Sequence, residues 1–176
     1  MKHARPAQWQ RNDHFGSKEY ESQVAGWLGH WKISKTSSNT ELDFWIPGCF
    51  LEVKEKRQPL SARWPLPGCR AEDAFVLDEL TVRKALEKFP HAFLLLRDVP
   101  LDRTFLAPIW QLACADRVRV DRETSPGFKK GKWVVDMTRF IRLYQPDEEL
   151  LPKMLAELVA TPWKQSPCLL PTFEED

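Results

Sequence analysis

Apolar positions follow two different periods along the chain, and the changes between them mark out its elements. Over residues 18–31, Tyr20, Val24, Trp27, Leu28 and Trp31 recur on one helical stripe, and Ser17 stands where a helix N-cap would. That spacing predicts an amphipathic helix facing a core. Residues 32–58 change to period two: a strand over 32–36, a second through LDFWI, the turn dipeptide Pro47-Gly48, and a third through CFLEVKEK. Helical spacing returns over 72–89 through Phe75, Val82, Leu86 and Phe89, and Pro90 stops it. AFLLLRDV then reads as a fully buried strand. TFLAPIWQLACAD fits strand or helix equally, while RVRVDR and KWVVDM read as strands joined by the loop ETSPGFKKGK. A last helix over about 147–160 carries Leu150, Leu151, Met154, Leu155 and Leu158.

The segment around Pro47-Gly48 is the informative one. If those two residues form the tip of an antiparallel pair, Ile46 faces Cys49, Trp45 faces Phe50, Phe44 faces Leu51 and Asp43 faces Glu52. Alternation then puts Leu42, Phe44, Ile46, Cys49, Leu51 and Val53 on one apolar face, and Asp43, Trp45, Phe50, Glu52, Lys54 and Lys56 on the other. A slip of one residue would bury the acids and expose their apolar neighbours, so the pattern itself selects the register. Pro-Gly favours a type II turn, which suits a two-residue hairpin poorly, and a wider tip is the alternative.

Directly opposed residues in such a pair have Cβ atoms roughly 5 Å apart, where two ionised carboxylates repel each other. A divalent cation offsets that repulsion. Magnesium in particular takes one or two carboxylates with waters and phosphate oxygens, which suits phosphodiester hydrolysis. Asp43 and Glu52 are the candidate metal-holding side chains, with the Val53 carbonyl as a further oxygen donor. Lys54 projects from the face of Glu52, where an ammonium can polarise a water or stabilise charge developing on phosphorus.

Asp43, a spacer, then Glu52-Val53-Lys54 resembles the core signature of the PD-(D/E)XK nuclease superfamily, with Leu42 in place of the motif's proline. The order of predicted elements is similar to that superfamily's α-β-β-β-α-β core over about residues 17–99. The resemblance implies an α/β fold with a mixed central β-sheet flanked by helices, in the manner of restriction endonucleases. It also implies catalytic Asp43, Glu52 and Lys54, with Mg2+ as cofactor and Mn2+ as its substitute. The activity implied is Mg2+-dependent DNA cleavage, first of the structure-selective, junction-resolving kind. Sequence-specific restriction or homing cleavage is the alternative, and nucleic-acid binding without cleavage on a nuclease-like fold is a second. Resolvase-like members also use an acid from the first helix; Glu19 and Glu21 compete for that place, and Glu21, which borders the apolar stripe, is preferred as an added metal ligand. Both acids equally suit the first turn of a helix, where the macrodipole favours negative charge.

Composition narrows the setting. With 43% hydrophobic and 29% charged residues in 176, the chain has the make-up of a folded globular protein, and one domain is expected. With the resemblance, the expected parts are a basic N-terminal arm over 1–16, a nuclease domain over 17–146, and a C-terminal helix with an acidic tail over 147–176, packed on the same domain. A net charge of +1 provides no global field for a polyanion, so DNA contacts must come from local clusters. Candidates are Lys56 and Trp45 on the acidic face and Lys129, Lys130 and Lys132 at a basic hairpin tip, which a solvated turn explains equally well. Trp64, in a Pro-rich loop, is a further candidate for substrate contact. The four cysteines have none of the close spacings of zinc or redox motifs and read as free thiols in a reducing, cytoplasmic setting. No apolar run approaches membrane-spanning length. A homodimer is the simplest route to symmetric double-strand cleavage, though the sequence marks no interface.

Overall fold

The computed structural model describes residues 18–29, 31–36, 41–60, 64, 66–125 and 128–160. The basic arm over 1–16 and the acidic tail lie outside the described residues. The fold is mixed α/β, with a mixed central sheet flanked by helices.

Six strands form that sheet: β1 (Ser34–Lys35), β2 (Phe44–Ile46), β3 (Cys49–Lys56), β5 (Ala92–Asp98), β6 (Arg103–Pro108) and β9 (Ile141–Leu143). They lie side by side in the order β1-β2-β3-β5-β6-β9. β3 and β5 run parallel and the other neighbours antiparallel. The parallel pair lies at the centre, and it is the most apolar part: Leu51, Val53 and the whole run Ala92 to Leu96 are buried. Strands covered on both faces need such continuous apolar runs.

Helix α1 (residues 18–27) is buried through Tyr20 and Val24, as its stripe predicts. The Tyr20 ring lies against the Arg97 guanidinium, whose centre is 4.9 Å from the ring centroid. Arg97 pairs across the ladder with Glu55 and so shares the face of Val53 and Leu51; α1 covers that side. Helix α2 (Glu79–Glu87) covers the opposite side near Glu52. α3 (Ile109–Cys114) follows β6 directly, so the ambiguous stretch TFLAPIWQLACAD is a strand followed by a helix. α4 (Leu150–Ala160) turns Leu151, Leu155 and Leu158 inward.

The pattern over 72–89 predicts one helix, and here the structure differs. A 3-10 turn over Ala71–Asp73 leads into strand β4 (Ala74–Asp78), and only then does α2 begin. β4 pairs antiparallel with β8 (Phe128–Asp136), with Phe75 opposite Val135 and Leu77 opposite Trp133. Phe75 and Leu77 are buried while Val76 between them is half-buried, a period of two that pairing with a strand over fifty residues away makes decisive. β8 pairs in turn with β7 (Arg117–Ser125), as the two expected strands RVRVDR and KWVVDM should, and β4 adds a third strand that the sequence pattern does not announce. The expected loop ETSPGFKKGK is mostly strand, so Lys129, Lys130 and Lys132 lie along β8 and not on an open tip.

Candidate active site at the β2–β3 hairpin

The hairpin forms in the expected register: Ile46 pairs with Cys49, Trp45 with Phe50 and Phe44 with Leu51. Pro47 and Gly48 make the two-residue tip, and Gly48 adopts φ +91°, the left-handed conformation that a type II turn requires at its third residue. A side chain there would also press on Val159 of α4. All six residues of the apolar face, Leu42, Phe44, Ile46, Cys49, Leu51 and Val53, are buried.

Asp43 lies one step before β2, next in line to face Glu52, and crossed side-chain-to-backbone bonds confirm the pairing. The Asp43 N–H donates to Glu52 Oε2 at 3.2 Å, and the Val53 N–H donates to Asp43 Oδ2 at 2.8 Å. Each carboxylate is thereby tied to the other's strand. The N–H and C=O of one strand residue project from the same edge, so the Val53 carbonyl turns toward the Asp43 side too.

The Lys54 ammonium joins the two acids, 2.6 Å from Glu52 Oε1 and 3.9 Å from Asp43 Oδ2. Exposure differs sharply within this trio: Glu52 is 1% and Asp43 5% exposed, whereas the Lys54 side chain is 33% exposed. The acidic face is largely closed, because α2 lies over it and Thr81 donates to Glu52 Oε1 at 3.3 Å. Burial pushes the Glu52 carboxyl above the ordinary glutamate range, Lys54 pulls it back in part, and Asp43 adds to the rise. For Lys54, burial works downward, but Glu52, Asp43 and Glu21 together hold its pKa above the usual lysine value. Lys54 is therefore a cation at neutral pH, not a base.

Oxygen donors at this point are two converging carboxylates and one backbone carbonyl. That set fits a hard divalent ion such as Mg2+, which takes few protein carboxylates and leaves positions for water and phosphate. Among the described residues no group of three His, Cys, Asp or Glu is arranged to hold a metal ion. Glu21, preferred above as an added ligand, is bound to Lys35 at 3.1 Å. It is near enough to influence Lys54 but does not complete a three-acid cluster with Asp43 and Glu52.

The remaining expected contacts divide. Trp45 is 40% exposed on the face of Asp43, next to Phe50. Lys129 and Lys130 are exposed on β8. Lys132 instead pairs with Asp78 of β4. Lys56 shares the parity of Lys54 but is buried: its ammonium sits 2.8 Å from Asp98 Oδ2 and 3.2 Å from the Ala74 carbonyl. Asp98 is fully buried and also bound by Arg103 at 2.8 Å, so Lys56 belongs to an internal ion network. Trp64 stacks with Arg122, whose guanidinium carbon is 5.6 Å from the ring. Cys49, Cys69 and Cys114 are free thiols, and no helix among the described residues is long and apolar enough to cross a membrane.

The helical spacing over 72–89 holds for α2, but it does not show that this helix packs against the acids. Thr81, Lys84 and Lys88 all reach the hairpin, with Lys84 donating to the Glu41 carbonyl at 2.6 Å and Lys88 pairing with the Glu41 carboxylate at 3.0 Å. Their spacing of three and four residues is a polar stripe on one helical face, a signal present in the sequence beside the apolar one. No protein-family model, curated protein or solved structure matches the chain.

Proposed function

We propose that this protein is a Mg2+-dependent DNA endonuclease of the PD-(D/E)XK type, with Asp43, Glu52 and Lys54 as its catalytic residues and branched DNA as its first substrate class. One observation carries the reading: two almost fully buried carboxylates, one on β3 and one just before β2, converge on one partly exposed lysine. Burying two acids side by side is costly unless cations compensate them, and a site that is merely structural would more simply use neutral groups. The run of α1, β1, β2, β3, α2 and β5 also agrees in order with the core of that superfamily, with β4 inserted before α2.

Asp43, Glu52 and the Val53 carbonyl would hold the ion. When bound it supplies charge neutralisation and an acidified water. Lys54 keeps its proton, since its pKa is raised, and its ammonium stands at the open side of the site where a phosphodiester can approach. There it offers a fixed positive charge to the negative charge that builds on the phosphoryl oxygens. Thr81 and the Asp43 N–H hold Glu52 in one orientation, and the Val53 N–H does the same for Asp43. Trp45, exposed beside them, provides a surface for a neighbouring base to stack on.

Four-way-junction, linear and supercoiled DNA incubated with the protein in Mg2+ or in chelator test this reading, alongside Asp43→Ala and Lys54→Met. Cleavage that needs Mg2+ and is lost in both variants supports it; preference for the junction supports the junction-resolving form, and cutting at fixed sequences supports the restriction or homing form. Binding without cleavage supports a non-catalytic nucleic-acid-binding protein. Cleavage that survives Asp43→Ala rejects the site.

A further inference from the structure

The segment that delivers Asp43 is not held by the sheet ladder alone. β2 begins at Phe44, and the residues just before it are fixed largely by bonds from outside their own strand. On the β1 side, Thr36 Oγ1 donates to the Leu42 carbonyl at 2.6 Å and the Thr36 N–H donates to the Asp43 carbonyl at 3.0 Å. On the α2 side, Lys84 Nζ donates to the Glu41 carbonyl at 2.6 Å, and Lys88 Nζ lies 3.0 Å from the Glu41 carboxylate and 4.9 Å from the Phe50 ring centroid. One turn earlier on the same helical face, Thr81 bonds Glu52 itself.

Lys84 is the unusual member. It is buried, and an ammonium is rarely enclosed unless its position is required and its hydrogens are bonded. Its bond goes to a main-chain carbonyl two residues before Asp43, while its charge also acts on Glu52. A single side chain thus touches the backbone that carries one acid and the electrostatics of the other. Lysine supplies both at once: a long apolar stem to cross the interior and a cation at its end.

We propose that Lys84 is a positioning residue that locks the Glu41–Asp43 segment onto α2, so that the Asp43 and Glu52 carboxylates face each other, with Lys88 and Thr81 completing the brace. Its effect on cleavage rests on the endonuclease reading; its effect on geometry does not. Without the brace, Asp43 would lose its fixed distance to Val53 and Glu52 while the sheet beneath stayed intact, because Phe44 to Ile46 remain paired to β3.

Amide hydrogen exchange on the full chain, measured by NMR, tests this without any assay of activity. Lys84→Met keeps the stem and removes the donor. Exchange at the Val53 and Asp43 amides, whose acceptors are the two carboxylates, should accelerate by about tenfold or more, the scale of one charge-assisted hydrogen bond. The Leu95 and Leu96 amides of β5 should keep their wild-type rates, and Lys84→Arg should restore protection at Val53. A purely global loss of stability would accelerate all four amides alike, and that result overturns the proposal. So does wild-type protection of Val53 in Lys84→Met. If Lys84→Met does not fold, Lys88→Met, at the surface end of the brace, should give the same local pattern with smaller amplitude; unchanged exchange there overturns the brace. In cleavage assays Lys84→Met should lower kcat with little change in KM. A wild-type protein that never cleaves DNA yet loses Val53 protection in Lys84→Met would refute the endonuclease reading and leave the brace standing.

Discussion

Replacing Glu52 by Gln should stabilise the metal-free protein and abolish its chemistry. Glu52 is 1% exposed and lies across from the Asp43 carboxylate, so its charge is desolvated and repelled at once. The compensating partner, Lys54 at 2.6 Å, is a third exposed, and a pair with one solvated member is worth only about 1 kcal/mol, less than the several kcal/mol lost by enclosing a charge. The upward displacement of the Glu52 pKa expresses that balance. A carboxyl whose folded pKa lies above its unfolded value binds protons more tightly when folded, so stability declines as pH rises from the unfolded to the folded pKa. A stability difference of about 1.4 kcal/mol is roughly 3–6 °C of Tm in a domain of this size. Glu52→Gln therefore should melt higher than wild type at neutral pH, and the gap should close near pH 4, where the acid is protonated in both states. Asp73, Glu79 and Asp147, all displaced downward, destabilise both proteins alike in acid and cancel from the difference. Mg2+ should reverse the order: at a hundredfold excess over its Kd it adds about 2.7 kcal/mol to wild type and little to Glu52→Gln. Thermal unfolding followed by circular dichroism over pH 4 to 8, with Mg2+ or chelator, measures all of this. A Glu52→Gln protein that melts below wild type at neutral pH, by an amount independent of pH, would refute the reasoning.

Two other outcomes follow from the placement of the lysines. Lys56→Met removes a buried partner of the fully enclosed Asp98 and, with Arg103 still bound there, should cost about 3 kcal/mol and lower Tm by roughly 6–12 °C, while DNA affinity at permissive temperature stays unchanged; loss of affinity without loss of Tm would instead make Lys56 a DNA-binding residue. The double variant of Lys129→Ala and Lys130→Ala, two exposed residues of β8, should leave Tm within about 1 °C and reduce the slope of log affinity against log salt by about 0.9 for each phosphate that is no longer neutralised; an unchanged slope in fluorescence-anisotropy titrations would remove them from the DNA surface.

The hairpin was legible from sequence because its information is local. Alternation along a strand has a period of two, Pro47-Gly48 marks the tip, and one apolar face admits only one register, so the opposition of Asp43 and Glu52 followed from residues 42–54 alone. The buried strand β5 was legible for the same reason. The segment 74–78 was not: its helix-like spacing is overruled by pairing with β8, whose residues lie far along the chain. Burial of the acidic face was likewise invisible. Whether Glu52 meets water, whether Lys56 reaches solvent or Asp98, and whether Glu21 joins the acids or Lys35 depend on which helix covers which face of the sheet. Sequence period determines which side of an element a residue occupies; only packing between distant elements decides what stands opposite it, because desolvation and ion pairing are properties of the space between elements.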